Sequence, residues 1–141
     1  MRRTRSGDEE DDHFQTPPNL YSALHAEFGF DCDPCPYHAE FDGLNKDFKW
    51  GKSNYINPPY NRRDKPKFID RAFKEWKENG VTCVLLIPAA TSTKQFHDLI
   101  YPHAEIRFIR GRIEFFKNNK PCGGKGKHDS MIVVFKGKDL R

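Results

Sequence analysis

The sequence predicts an α/β domain built on an abbreviated doubly wound sheet that ends in an antiparallel hairpin. Three observations carry this. Strand-period and helix-period segments follow one another as strand, strand, helix, strand, helix, strand and hairpin. Val81 to Pro88 is an almost continuous apolar run of strand length, as a central parallel strand covered on both faces requires. Ile113 to Phe116 and Met131 to Phe135 are strand-like and separated by a polar, glycine-rich stretch, which reads as the hairpin.

At 141 residues the chain has room for one domain and one core. Aromatic residues make up 13%, with 12 phenylalanines, so a folded core is expected despite a mean hydropathy of −0.85. The net charge of +4 is compatible with a nucleic-acid partner and does not demand one. Four irregularly placed cysteines and no signal peptide argue for a reducing cytoplasm rather than a disulfide scaffold. No apolar run approaches the ~20 residues that span a bilayer.

Residues 1–13 carry Arg2, Arg3 and Arg5, then an acidic run, and lack apolar residues after Met1, so they read as a disordered tail before one domain over 14–141. Phe14-Gln15-Thr16-Pro17-Pro18 follows. Thr16 before Pro17 reads as an N-cap with proline at the first helical position, and Leu20, Tyr21, Leu24 and Phe28 give that helix its apolar face until Gly29. A helix start with a free hydroxyl and exposed N–H groups also suits a carboxylate-bearing ligand. Phe30 to Asp33 is a short strand ending in an acid and Pro34. Ligands of open α/β sheets bind beyond the carboxyl ends of strands, which makes Asp33 a candidate cofactor contact. Cys32, Cys35 and His38 fall short of the four ligands of a structural zinc site, so no metal is expected. Between Pro36 and Lys52 no helix is evident; Asp42-Gly43 marks a turn, with Phe48 and Trp50 as apolar anchors.

The most informative stretch is Tyr55-Ile56-Asn57-Pro58-Pro59-Tyr60. Two consecutive prolines lack N–H groups and hold a stiff, extended turn at a strand end. The Asn57 amide and the Pro58 carbonyl are then two acceptors for the two protons of one planar –NH2 group, a grip that turns the nitrogen lone pair toward an activated methyl group. Tyr60 offers a flat face to a planar ring such as an extruded nucleobase. A plain proline-rich turn with Tyr60 capping the core fits the same residues.

Arg62, Arg63 and Lys65 form a basic loop beside this turn, either solvated or placed for phosphate contact. Phe68, Ile69, Ala72, Phe73 and Trp76 recur at helical spacing from Asp64 or Lys65 until Gly80. After the Val81 strand, Phe96, Leu99 and Ile100 form a helix face stopped at Pro102, and Ala104 to Arg110 alternates as a half-buried strand. Lys117 to Asp129 reads as a long mobile hairpin loop in which Lys120, Lys125 and Lys127 are available to phosphates. His97 and His128 show no arrangement that supports catalysis.

Taken together, the ordered set over roughly residues 14–136 resembles the small phage-type DNA adenine-N6 methyltransferases, the Dam-like family. The similar segments are Phe14-x-Thr16-Pro17, Glu27-Phe28-Gly29-Phe30 with Asp33, Asp42-Gly43-Leu44 before Trp50, Asn57-Pro58-Pro59-Tyr60, Leu86-Ile87-Pro88, Arg110-Gly111-Arg112-Ile113 and Ser130 to Phe135. The resemblance implies a Rossmann-like class I methyltransferase that uses S-adenosylmethionine. Its cofactor contacts fall at Phe14, Thr16, Pro17, Asp33, Pro34, Asp42 and Asn57. Asn57, Pro58, Pro59 and Tyr60 hold a flipped-out adenine of double-stranded DNA, in the cytoplasm of a bacterial or phage-infected cell. The glycine-rich loop and the usual second and third strands have no evident counterpart, and no separate target-recognition domain fits the length. Cytosine N4, RNA or a protein glutamine are the other planar amines the motif suits, and a non-catalytic nucleic-acid binder is the reading outside enzymes.

Overall fold

The structure, a computed structural model, describes residues 13–138. The expected tail, apart from His13, lies outside the described residues. In chain order the elements are α1 (Pro18–Phe28), β1 (Ser53–Ile56), α2 (Asp64–Asn79), β2 (Thr82–Pro88), a π-helical turn (Phe96–Ile100), β3 (Glu105–Phe108), β4 (Phe116–Lys117), β5 (Lys120–Pro121) and β6 (Ser130–Phe135). The fold is mixed α/β, with a four-stranded sheet ordered β1-β2-β6-β3. β1 and β2 are parallel, while β6 runs antiparallel to both of its neighbours. The predicted first strand survives as a single parallel bridge, Cys32 to Asn54, fixed by Asp31 N–H to Ser53 O at 2.9 Å and Tyr55 N–H to Cys32 O at 3.0 Å.

Alternation along the strands divides the core in two. Ile56, Cys83, Leu85, Ile87, Met131, Val133 and Phe135 face α2, the π-helical turn and Trp50. Tyr55, Val84, Leu86, Ile132 and Val134 face α1, Ile113 and Phe115. Both faces are therefore covered, which explains the continuous apolar run in β2.

The expected C-terminal hairpin is corrected by β6. All six of its residues are buried, so it needs partners at both edges and cover on both faces, and it inserts between β2 and β3. Ile113 and Phe115 enter the core from irregular backbone. Nor is Lys117 to Asp129 one long loop. β4 and β5 close across Asn118 and Asn119, with φ of 52° and 66°, the two-residue turn that matches hairpin twist. Gln15 adds to this small sheet by exchanging backbone hydrogen bonds with Phe116 (2.8 and 3.0 Å). Its side chain accepts from Asn119 N–H at 2.7 Å and donates to Asn119 Oδ1 at 3.1 Å.

Thr16 is also displaced from its expected role. α1 begins one residue later, with Pro18 at its first position and Pro17 flanking it, and no side chain caps it. At the other end Gly29 closes α1 with φ of 58°, where a side chain is strained. α2 is entered through Asn61, whose Oδ1 accepts from Arg63 N–H (3.0 Å) and Asp64 N–H (2.6 Å).

The compressed crossover from Pro36 to Lys52 holds its shape through Arg71 of α2. The guanidinium donates to the carbonyls of Phe48 (2.7 Å), Asn45 (3.3 Å) and Gly43 (3.4 Å), bonds Glu75 at 2.8 Å and lies 5.0 Å from the centre of the Trp50 ring. Trp50 Nε1 donates to Gly43 O at 2.8 Å. Gly43 itself is fixed by close approach, since a Cβ there would lie 1.7 Å from the Pro34 carbonyl oxygen. Arg71→Ala leaves three loop carbonyls and a half-buried Glu75 without this donor. It should cost ~2 kcal/mol of unfolding free energy in urea titrations. Arg71→Lys should recover less than half of that loss, because an ammonium lacks the planar fork.

Candidate active site

The parallel strands deliver their carboxyl ends to one edge of the sheet. There the Cys32 bridge leads to Asp33, β1 leads to Asn57, and β2 ends at Pro88. A cleft of about 230 Å³ opens at this edge, lined by Phe14, Thr16, Asp33, Tyr55 and Asn57 among others. A second, of about 420 Å³, shares His13, Cys35 and Tyr37 with it and runs on to Pro34, Asp42 and Pro59. Seven of the sequence-predicted residues thus meet in two contiguous clefts. Pro17, Pro58 and Tyr60 line neither.

Asn57 is 6% exposed and held on two sides. Its Nδ2 donates to the Phe14 carbonyl at 2.7 Å, and its own carbonyl accepts from His13 Nε2 at 3.0 Å. A carbonyl only accepts, so the Phe14 contact fixes which end of the amide is nitrogen. Oδ1 is therefore turned away, and it has no donor among the described residues. The Pro58 carbonyl has none either. The two acceptors named from the sequence are thus both unengaged among the described residues.

Asp33 is partly buried, lines the same cleft as Asn57 and accepts from Cys35 N–H at 2.9 Å. Burial pushes its carboxyl up to about 6, against that one hydrogen bond. Thr16 shares a very short hydrogen bond with the Tyr55 hydroxyl, whose titration burial drives well above the ordinary tyrosine range. Pro34 supplies the carbonyl that Gly43 approaches. Asp42 is exposed and closes its own turn by accepting from Leu44 N–H at 2.9 Å.

Tyr60 packs over the second core cluster. Its hydroxyl donates to Leu86 O at 3.3 Å, and its ring stands edge-on to Phe115 at 5.8 Å and near His128 at 6.2 Å. The Phe14 ring lies 5.7 Å from Phe115, with Lys117 Nζ 5.2 Å from its centre. Among the basic residues, Arg62, Lys120, Lys125 and Lys127 are exposed, Arg63 pairs with Asp64 at 3.2 Å, and Lys65 is half-buried.

Sequence reasoning missed His13, Gln15, Tyr55 and Ser130. His13 belongs to the tail by composition, yet it lines both clefts. Gln15 had no local signal, because its partners lie 104 residues away at the hairpin. Ser130 Oγ is the buried side-chain polar atom without a hydrogen bond among the described residues, and strand parity puts it on the Tyr60 side of the sheet.

The burial of Asp33 has a pH signature. A carboxyl raised in the folded state stabilises the fold below its unfolded pKa, and that contribution is lost as pH rises through about 6. Asp33→Asn should therefore match the wild type in thermal melts near pH 3.5. It should exceed it on the order of 2 kcal/mol above pH 7.

No curated protein is similar enough to the chain to count as a relative. The sequence model of the family described as DNA N-6-adenine-methyltransferase (Dam) matches residues 3–139, nearly the whole chain and all of the site residues above. The chain therefore belongs to the Dam family of DNA N-6-adenine methyltransferases.

Proposed function

We propose that the protein transfers a methyl group from S-adenosylmethionine to N6 of an adenine turned out of double-stranded DNA. The observation that carries this reading is that Asn57 Oδ1 and the next residue's carbonyl, Pro58 O, have no donor among the described residues, with Asn57 lining a cleft that also holds a partly buried carboxylate. Two acceptors hold both protons of the exocyclic amine and direct its lone pair outward, so positioning supplies most of the acceleration. No general base is needed before transfer, since the nitrogen sheds its proton afterward.

The cofactor, when bound, supplies the electrophilic methyl group. Asp33 suits a cationic end, because a partly buried carboxylate gains most from a positive partner. Thr16, held by Tyr55, and Phe14 wall the same cleft, while Pro34 and Asp42 extend it toward a nucleoside moiety. Parallel strands at Cys32, β1 and β2, with β6 inserted antiparallel, support a Rossmann-like class I sheet reduced to its site-bearing half. On the DNA side, Tyr60 offers its ring to the base, Pro59 stiffens the turn, and Arg62, Arg63, Lys65, Lys120, Lys125 and Lys127 face the phosphates.

The test is transfer of labelled methyl to duplex DNA, RNA and a glutamine peptide side by side, followed by nucleoside analysis. N6-methyladenine in DNA is the expected product; label confined to cytosine, RNA or peptide overturns the reading. Asn57→Ala should lose at least ~100-fold in kcat while cofactor binding by calorimetry persists. Tyr60→Ala should weaken duplex binding by ~1–3 kcal/mol, with Tyr60→Phe close to wild type because the ring and not the hydroxyl makes the stack.

A further inference from the structure

A third concavity, of about 600 Å³, lies apart from the two clefts, between α2 and the segment that ends in the π-helical turn, beside the end of β2. Its floor is apolar, made by Ile69, Ile87 and Met131, and its rim carries Arg62, Lys65 and Lys94. None of these three cationic groups makes a side-chain hydrogen bond or ion pair among the described residues, although Asp70 and Asp98 line the same groove. Asp70 is engaged by Gln95 at 2.9 Å instead. Lys65 is half-buried at the start of α2, and burial alone holds its ammonium below the ordinary lysine range. A desolvated cation without a carboxylate is unfavourable in the free protein and is satisfied by an incoming anion.

An apolar floor under a cationic rim has the chemistry of a nucleotide site, a flat base against hydrocarbon and phosphates against ammonium and guanidinium groups. Position narrows the occupant. Arg62 and Lys65 come two and five residues after Tyr60, so the groove starts where the turn holding the target base ends. Its floor belongs to the core cluster on the α2 face, whereas Tyr60 packs on the opposite one.

We propose that this groove receives the nucleotide adjoining the target adenine on the same strand, its base on the apolar floor and its phosphates between Arg62, Lys65 and Lys94. The strand then crosses the sheet edge at Pro58-Pro59, with the target base on one face and its neighbour on the other. This rests on DNA being the substrate.

The test uses the full chain and duplexes whose methylated sites have been mapped from the transfer assay, with 2-aminopurine beside the target adenine. Lys94→Gln should weaken binding about fivefold at low salt and lower the slope of log Kd against log salt by about 1. Leu99→Ser, at the groove wall, should remove the fluorescence change of the neighbouring base while the Asn57-dependent transfer remains measurable. A wild-type salt slope in Lys94→Gln, or a wild-type fluorescence change in Leu99→Ser, overturns the groove assignment while leaving the methyltransferase reading intact. A wild-type protein that transfers no methyl to DNA overturns the parent reading and the proposed occupant with it.

Discussion

The hydrogen bond from Asn57 Nδ2 to the Phe14 carbonyl is the contact on which the site depends. It joins the segment before α1 to the end of β1 across 43 residues, and at 2.7 Å it leaves the amide one orientation. An asparagine free to turn would present its NH2 group to an incoming amine half the time, and two donors repel. The Phe14 carbonyl removes that alternative without touching the acceptor side. Everything around it serves to hold Phe14 still. Gln15 is stitched into the β4-β5 hairpin, Thr16 is bonded to Tyr55, and His13 bonds the Asn57 carbonyl. A residue pair far apart in sequence thus leaves Asn57 Oδ1 as the acceptor end of the amide.

A second constraint replaces missing secondary structure. The chain runs from the Cys32 bridge to β1 with no helix or full strand between, so the wall of the larger cleft is a loop whose carbonyls need donors. Arg71 and Trp50 provide them, and turns at Asp42 and Asn45 satisfy their own N–H groups. The guanidinium suits this because its donors diverge in one plane toward several carbonyls at once. Gly43 is the point of closest approach, where any Cβ would displace Pro34 and with it the end of the Asp33 segment.

What could be read from the sequence follows from how local each signal is. β2, α1 and α2 declare themselves through apolar periodicity and the glycines that stop the helices. Asn57 to Tyr60 declares itself through two prolines at a strand end. The position of β6 does not, because a fully apolar strand is equally consistent with a central place and with one arm of a hairpin, and only edge-to-edge pairing decides. Thr16 reads as a cap from its neighbours alone, but with prolines at both 17 and 18 the helix starts later and the hydroxyl bonds Tyr55 instead. The Asn118-Asn119 turn was hidden because asparagine pairs also populate ordinary loops. His13 looked like tail since its partners lie 22 and 44 residues away.

The charges at this edge are arranged against the free protein. Asp33 is partly buried with one hydrogen bond and a raised carboxyl, and Lys65 is half-buried with a depressed ammonium. Each would be more favourable in water, and no ion pair joins the two among the described residues. Such groups persist in a fold when a ligand of opposite sign offsets the desolvation in the bound state. One calls for a cation in the small cleft and the other for an anion in the groove. Under the proposed function, a positively charged methyl donor meets the first demand and the phosphates of DNA the second, with the prolines of the Asn57 turn between the small cleft and the groove.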